Sequence, residues 1–214
     1  ASKTSGLIYL EAGKTYTFSG TGDDSLLVTV GGKNVAAITW GAGGTLSGSF
    51  KPSTSGYYTL DIYHHNQNGA GNYDVNLKVD NGPVRDLSSA GVPLYTGVAD
   101  LAASGVTVSD LHGSNGEGYY DGYKLNEAAQ GTSVHLSAIN TALTDTDGSE
   151  SLSVKISGIP VGSVLSDGAG HSFSATATSG EANVTGWNLG SLTVTPPASY
   201  TGQFNLTVTS TSTE

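Results

Sequence analysis

The chain has 214 residues, enough for one large domain or two ordinary ones. Lys and Arg total 8 against 18 Asp and Glu, and the formal net charge of −10 argues against a nucleic-acid partner, whose phosphates need a basic face. Cysteine is absent, which excludes disulfides and thiolate chemistry, and no apolar run reaches the length of a membrane span.

Only 12% of residues are charged, while Gly, Ser and Thr are abundant. That balance suits a β-rich extracellular module better than a helical cytosolic enzyme, and a monomer is expected. The acids are spread along the chain and form no tail. The chain opens at Ala1 and ends on Thr213-Glu214 directly after a strand-like run, so it is expected to be a piece of a longer protein.

Over residues 1–84 the pattern predicts strands at Gly6–Leu10, Lys14–Ser19, Leu26–Val30, Val35–Trp40, Thr45–Phe50, Tyr57–Tyr63 and Tyr73–Val79. Tyr58, Leu60 and Ile62 alternate along one run, as do Tyr73, Val75, Leu77 and Val79 along another. Period two places each set on one sheet face, the mark of a half-buried antiparallel sandwich. Two loops here carry oxygen ligands. Gly22-Asp23-Asp24-Ser25 precedes a strong strand, but adjacent carboxylates on extended backbone point apart, so joint ligation requires an unusual backbone turn. The loop after His64-His65 supplies Asn66, Gln67, Asn68 and Asn72, with glycines that let the backbone approach an ion or a sugar. Sequential histidines on a strand point opposite ways, which disfavours a shared transition metal.

Lys14–Phe18, Gly22–Lys33 and Gly56–Ile62 together resemble the protective-antigen/flocculin sugar-binding domain. The resemblance covers about residues 7–80 and lacks most of the family's usual N-terminal portion. It implies a β-sandwich in which Asp23 and Asp24, joined by a cis peptide, hold a Ca2+ that contacts sugar hydroxyls. Asn66 and Asn68 are then further ligands from the second loop.

Composition shifts after Asn81-Gly82-Pro83. Residues 92–104 read as a short helix, with Pro93 in the first turn, Leu94, Val98, Leu101 and Ala102 on one face, and Gly105 ending it. The loop from Asp110 to Gly122 brings Tyr119 and Tyr120 beside several acids, a combination used for sugar or peptide binding and equally for covering a sheet edge. Residues 85–126 are too many for a bare linker and are expected to complete the first sandwich.

From residue 127 onward, alternation recurs in Val134/Leu136, Leu152/Val154/Ile156, Phe173/Ala175/Ala177, Leu192/Val194 and Phe204/Leu206/Val208. Short strands between Gly, Pro and Asp turns predict an immunoglobulin-like sandwich without its disulfide. Before the first long strand lies Leu143-Thr144-Asp145-Thr146-Asp147-Gly148-Ser149-Glu150, three carboxylates with no base among them. The spacing is not that of an EF-hand, because Ile156 stands where the bidentate Glu belongs. Such a cluster either forms a polar turn or holds a hard cation, and Ca2+ tolerates its irregular geometry. The run 143–152 together with Thr193–Val208 resembles the immunoglobulin-like repeats of giant RTX-type bacterial adhesins. That resemblance implies Ca2+ near Glu127, Asp145, Asp147 and Glu150, with Glu214 leading into a neighbouring domain of the same adhesin. The RTX nonapeptide itself is absent.

No Gly-x-Ser-x-Gly, His-Glu-x-x-His or phosphate loop is present, and sequence neighbours such as Asp23 and Asp24 are badly spaced for a glycosidase pair. The expectation is therefore an all-β, non-enzymatic protein of two β-sandwich domains. Residues 1–126 form a Ca2+-dependent module for a cell-surface glycan, and residues 127–214 a Ca2+-stiffened spacer. Alternatives are a stalk segment without a ligand site, or a peptide site around Tyr119 and Tyr120. No insertion into a membrane is expected.

Overall fold

The computed structural model describes residues 1–41, 44–143 and 147–214. The chain divides into two compact units, Ala1–Gly122 and Tyr123–Glu214. Both are β-sandwiches built from antiparallel sheets.

The first unit contains β1 (Ser2–Leu10), β2 (Tyr16–Gly22), β3 (Ser25–Val30), β4 (Lys33–Ile38), β5 (Thr45–Phe50), β6 (Gly56–His65) and β7 (Tyr73–Val79). Shorter pieces follow: β8 (Arg85–Asp86), β9 (Leu94–Tyr95), α1 (Val98–Ala103), β10 (Thr107–Val108), β11 (His112–Ser114) and β12 (Glu117–Tyr120). A further short strand, β13 (Gly122–Tyr123), lies where the units divide. One sheet has seven strands, with β6 at its centre between β1 on one side and both β3 and β12 on the other. The facing sheet runs β5-β2-β7-β8. Ile8, Phe18, Val28, Tyr58, Leu60, Ile62 and Leu77 interleave between them, as the alternation predicts.

β6 carries a polar row on its other face. Asp61 is buried there, opposite Ser5 on β1 and Thr29 on β3, and pairs with Lys3 Nζ at 3.0 Å. Burial pushes this carboxyl up, but hydrogen bonds from Ser5 and Lys3 outweigh it, and the group lies below its ordinary value.

Residues 85–122 join the sandwich strand by strand: β8 pairs with β7, β9 with β1, and β12 with β6. The helix is shorter than expected. Leu94–Tyr95 is extended, because Tyr9 N donates to Pro93 O at 3.0 Å and β9 extends the ladder of β1. Helix α1 begins only after Gly97 and buries Leu101, while Leu94 and Val98 remain exposed. Because these added strands are hydrogen-bonded into both sheets, limited proteolysis should not release residues 1–84 as a stable core. Rapid appearance of that fragment would contradict the pairing.

The second unit contains β14 (Val134–His135), β15 (Ser151–Ser157), β16 (Val164–Ser166), β17 (Ser172–Ser174), β18 (Glu181–Asn183), β19 (Thr193–Thr195) and β20 (Thr207–Thr213). Its sheets are β14-β19-β16-β17 and β18-β15-β20, and Ile156, Leu165, Val184, Leu192 and Val194 fill the space between. Four strands against three is the count of an immunoglobulin constant-type sandwich. Here the first strand lies beside β19 and the last beside β15. Tyr123–Asn126, placed in the first segment by the sequence, belong to this unit. Tyr123 stacks on His135 at 3.8 Å, and Asn126 N donates to His135 O at 2.6 Å.

Candidate functional site

Three connections of the first unit cross between its sheets at one end of the sandwich. β2 leaves the four-stranded sheet at Gly22 and β3 enters the seven-stranded sheet at Ser25, so Asp23 and Asp24 are themselves one crossover. Residues 66–72 make the reverse crossing from β6 to β7 directly alongside. Asp23 N donates to Asn72 O at 3.0 Å, and Asp24 N donates to His65 O at 3.1 Å. The third crossing, from β4 to β5, carries Trp40, which is 72% exposed, and Gly44 O accepts from Gly22 N at 3.4 Å.

The peptide joining Asp23 to Asp24 is cis. The pair is clamped on both flanks. His64 Nε2 donates to Asp23 O at 2.6 Å, and Gln67 N donates to Asp24 Oδ2 at 2.7 Å. Asn66 Nδ2 donates to Gly69 O at 2.9 Å, while Asn66 Oδ1 is buried without a hydrogen-bond donor among the described residues. A buried amide oxygen left unpaired is costly unless something else satisfies it. Gly71 is required beside it, because a Cβ there would lie 2.5 Å from Asn66 Cγ. Asn68 is exposed in the same loop, and the Tyr73 ring packs at a tilt against His64, 5.0 Å between centroids.

The donor set therefore comprises two carboxylates, a buried amide oxygen and nearby carbonyls: hard oxygen ligands of the kind Ca2+ takes. The crossover with Asp23 and Asp24 and the loop with Asn66 are hydrogen-bonded to one another through Asp23 N, Asp24 N and Gln67 N. The contribution of His64, which fixes the Asp23 carbonyl, is not visible in sequence, because the two residues are far apart in the chain. The signal available was a histidine at the end of a strand opposite an acidic crossover.

Tyr119 and Tyr120 do not share a site. Neighbours on β12 face opposite sides of the sheet: Tyr119 pairs with Tyr58 and packs against the core, whereas Tyr120 pairs with Tyr57 on the other face.

In the second unit, Asp145 lies outside the described residues. Asp147 accepts from Ser149 N at 3.0 Å and Ser149 Oγ at 2.7 Å, and these bonds hold its carboxyl below the ordinary value. Glu150 lies beside Asp147 and has a buried Oε2 without a hydrogen-bond partner among the described residues. Two neighbouring carboxylates, one with an unsatisfied buried oxygen, fit a hard cation. Glu127 is exposed and lines a separate cavity of about 610 Å3 with Gln203 and Phe204. Among the described residues no three His, Asp or Glu side chains converge on one point, so Glu127 does not join Asp147 and Glu150.

No protein-family model matches the chain, and no curated protein sequence does. Among solved structures it is similar to the PA14 domain of the antifreeze protein MpAFP, with 30% identity over 44% of this chain and 50% of that one, and a TM-score of 0.37. The chain thus spans about half the length of that structure. It is also similar to an anti-sigma factor domain-containing protein from Clostridium clariflavum, with 11% identity over 98% of this chain and 79% of that one, and a TM-score of 0.36. Among the described residues no helix is long and apolar enough to cross a membrane.

Proposed function

We propose that the first unit is a Ca2+-dependent carbohydrate-binding module of an extracellular adhesin, and that the second is a Ca2+-stiffened spacer. The observation that carries this is the buried Asn66 Oδ1, without a hydrogen-bond donor among the described residues, on the loop beside the clamped Asp23–Asp24 crossover. A divalent ion there satisfies the amide oxygen and balances the two carboxylates in one step. Sugar hydroxyls compete poorly with water by themselves, so a partly desolvated ion with open positions supplies the missing affinity. Trp40 and Tyr73, both exposed around the same crossovers, offer ring faces to a sugar. The proposed role makes and breaks no covalent bond. The shallow site predicts binding near millimolar, about −4 kcal/mol, raised at a surface by multivalency.

A glycan array run on the full chain in calcium and in chelator tests the reading. Glycan binding should appear only with calcium, and indifference to chelator would overturn the assignment. The same titration tests the spacer. At a hundredfold excess over the dissociation constant, Ca2+ held by Asp147 and Glu150 stabilises the second unit by about 2.7 kcal/mol. A melting curve of that unit unchanged by chelator would remove it from the proposal.

A further inference from the structure

The opposite end of the first unit holds a cavity of about 710 Å3, within the roughly 300–1,000 Å3 range of small-molecule sites. It lies between the β3–β4 turn, the β11–β12 hairpin and the segment after β5. From Tyr58 at this end of β6 to His65 at the other, an extended strand covers about 23 Å at ~3.3 Å per residue. The cavity is therefore separate from the Asp23–Asp24 crossover.

Its floor is a continuous aromatic surface. Phe50 meets Tyr58 edge-on at 5.4 Å, Tyr58 stacks on Tyr119 at 5.0 Å, and Tyr119 stacks on His112 at 4.9 Å. Tyr58 is buried and its hydroxyl donates to Thr54 O at 2.8 Å, which fixes the ring. Burial pushes its phenol above the ordinary value, so the ring is neutral.

The walls are preformed. Gly31-Gly32 and Asn115-Gly116 all have positive φ, the conformation of tight two-residue hairpin turns. A Cβ on Gly32 would lie 2.8 Å from Glu117 Cβ, so only glycine lets the two turns meet. Glu117 is held by Thr59 Oγ1, which donates to its Oε2 at 3.1 Å.

Charge selects the occupant. In a chain of net charge −10, Lys33 and Lys51 both line this one cavity. The ion pairs among the described residues use Lys3, Lys14 and Lys155, and none uses Lys33 or Lys51. Two uncompensated ammonium groups over an aromatic floor attract an anion with an apolar face. Glu117 in the same cavity repels a dianion such as phosphate and accepts from hydroxyls. A monoanion bearing hydroxyls around a ring meets all three demands.

We infer that this cavity is a second, calcium-independent binding site, and that it takes an acidic sugar of the uronate class. The pyranose ring packs along the edges of the stacked Tyr119 and His112 rings, the carboxylate meets Lys33 and Lys51, and ring hydroxyls donate to Glu117.

The test is a titration of the full chain in chelator with galacturonate and with its neutral counterpart galactose, followed by ligand-observed NMR. Galacturonate should bind at least about tenfold more tightly, the weight of one charge-assisted hydrogen bond. The double variant Lys33→Gln/Lys51→Gln, changed only at exposed side chains, should lose that preference while its circular dichroism is unchanged. Asp23→Asn should leave galacturonate binding intact, which separates this site from the calcium-dependent one. The inference is overturned if the parent shows no saturable galacturonate binding, or if the preference survives in the double variant. Binding of an acidic peptide in place of the uronate would overturn it equally.

Discussion

Asp23→Asn should abolish calcium-dependent glycan binding while leaving the first unit folded. The substitution keeps the shape of the side chain and removes one charge, and calcium sites set their affinity largely by ligand charge. The crossover itself is held through groups that survive the change. His64 Nε2 donates to the Asp23 carbonyl, and Asp23 N donates to Asn72 O. Asp24 is a poorer choice, because its Oδ2 also accepts from Gln67 N, and Asp24→Asn would disturb the loop as well as the ion. Melting of the Asp23→Asn variant in chelator should therefore match the parent, and the two should separate only when calcium is added. If the variant binds a glycan surface as well as the parent does, the assignment at this loop is wrong.

Asp167→Asn is expected to have the largest effect on the second unit. Asp167 is 1% exposed and sits in the turn between β16 and β17. Its carboxylate accepts from Ala169 N at 2.9 Å, His171 N at 3.0 Å, Asn188 N at 3.1 Å and His171 Nδ1 at 2.6 Å. Its own carbonyl accepts from Ser191 Oγ at 2.7 Å, so one residue ties two loops together. Burial pushes the carboxyl up, but the bonds from His171, Ala169 and Asn188 prevail and hold it well below the usual carboxylate range. A depressed folded value means stability that is present above about pH 4, the ordinary carboxylate value, and is lost as pH falls further through the folded value. Asparagine places an NH2 where only acceptors fit, leaving backbone donors unsatisfied. The variant should melt earlier at pH 7 and should lose less of its remaining stability than the parent between pH 4 and 2. Identical thermal melts at pH 7 would refute the role.

The long strands were legible because each buries one face. Tyr58, Leu60 and Ile62 announce β6, and Val75 and Leu77 announce β7, since period-two burial leaves a period-two sequence. The crossover between the sheets was legible too, as the acidic turn ahead of a strong strand. What hid was everything fixed by remote partners. β8, β9 and β12 are two to four residues long and are made by the strands they join, so no local pattern marks them. Leu94 sits at helical spacing from Val98 and Leu101, yet the edge of β1 claims it for a sheet. Asp167-Gly168 reads as a plain turn, because two of its anchors, Asn188 and Ser191, lie far along the chain. Asp61 occupies an outward position in the alternation but is covered and paired with Lys3.

The protein's two tryptophans fall one in each unit. Trp40 stands in solvent near the acidic crossover, whereas Trp187 stacks on His171 at 5.3 Å with nearly parallel rings. Each unit therefore carries its own fluorophore in a contrasting setting. Emission from Trp40 starts red-shifted and responds to what docks at its ring more than to unfolding. Emission from Trp187 is quenched or released with the imidazole beneath it and shifts when the Asp167 loops come apart. Single-tryptophan variants, Trp40→Phe and Trp187→Phe, would let one cuvette follow ligand arrival in one unit and melting in the other.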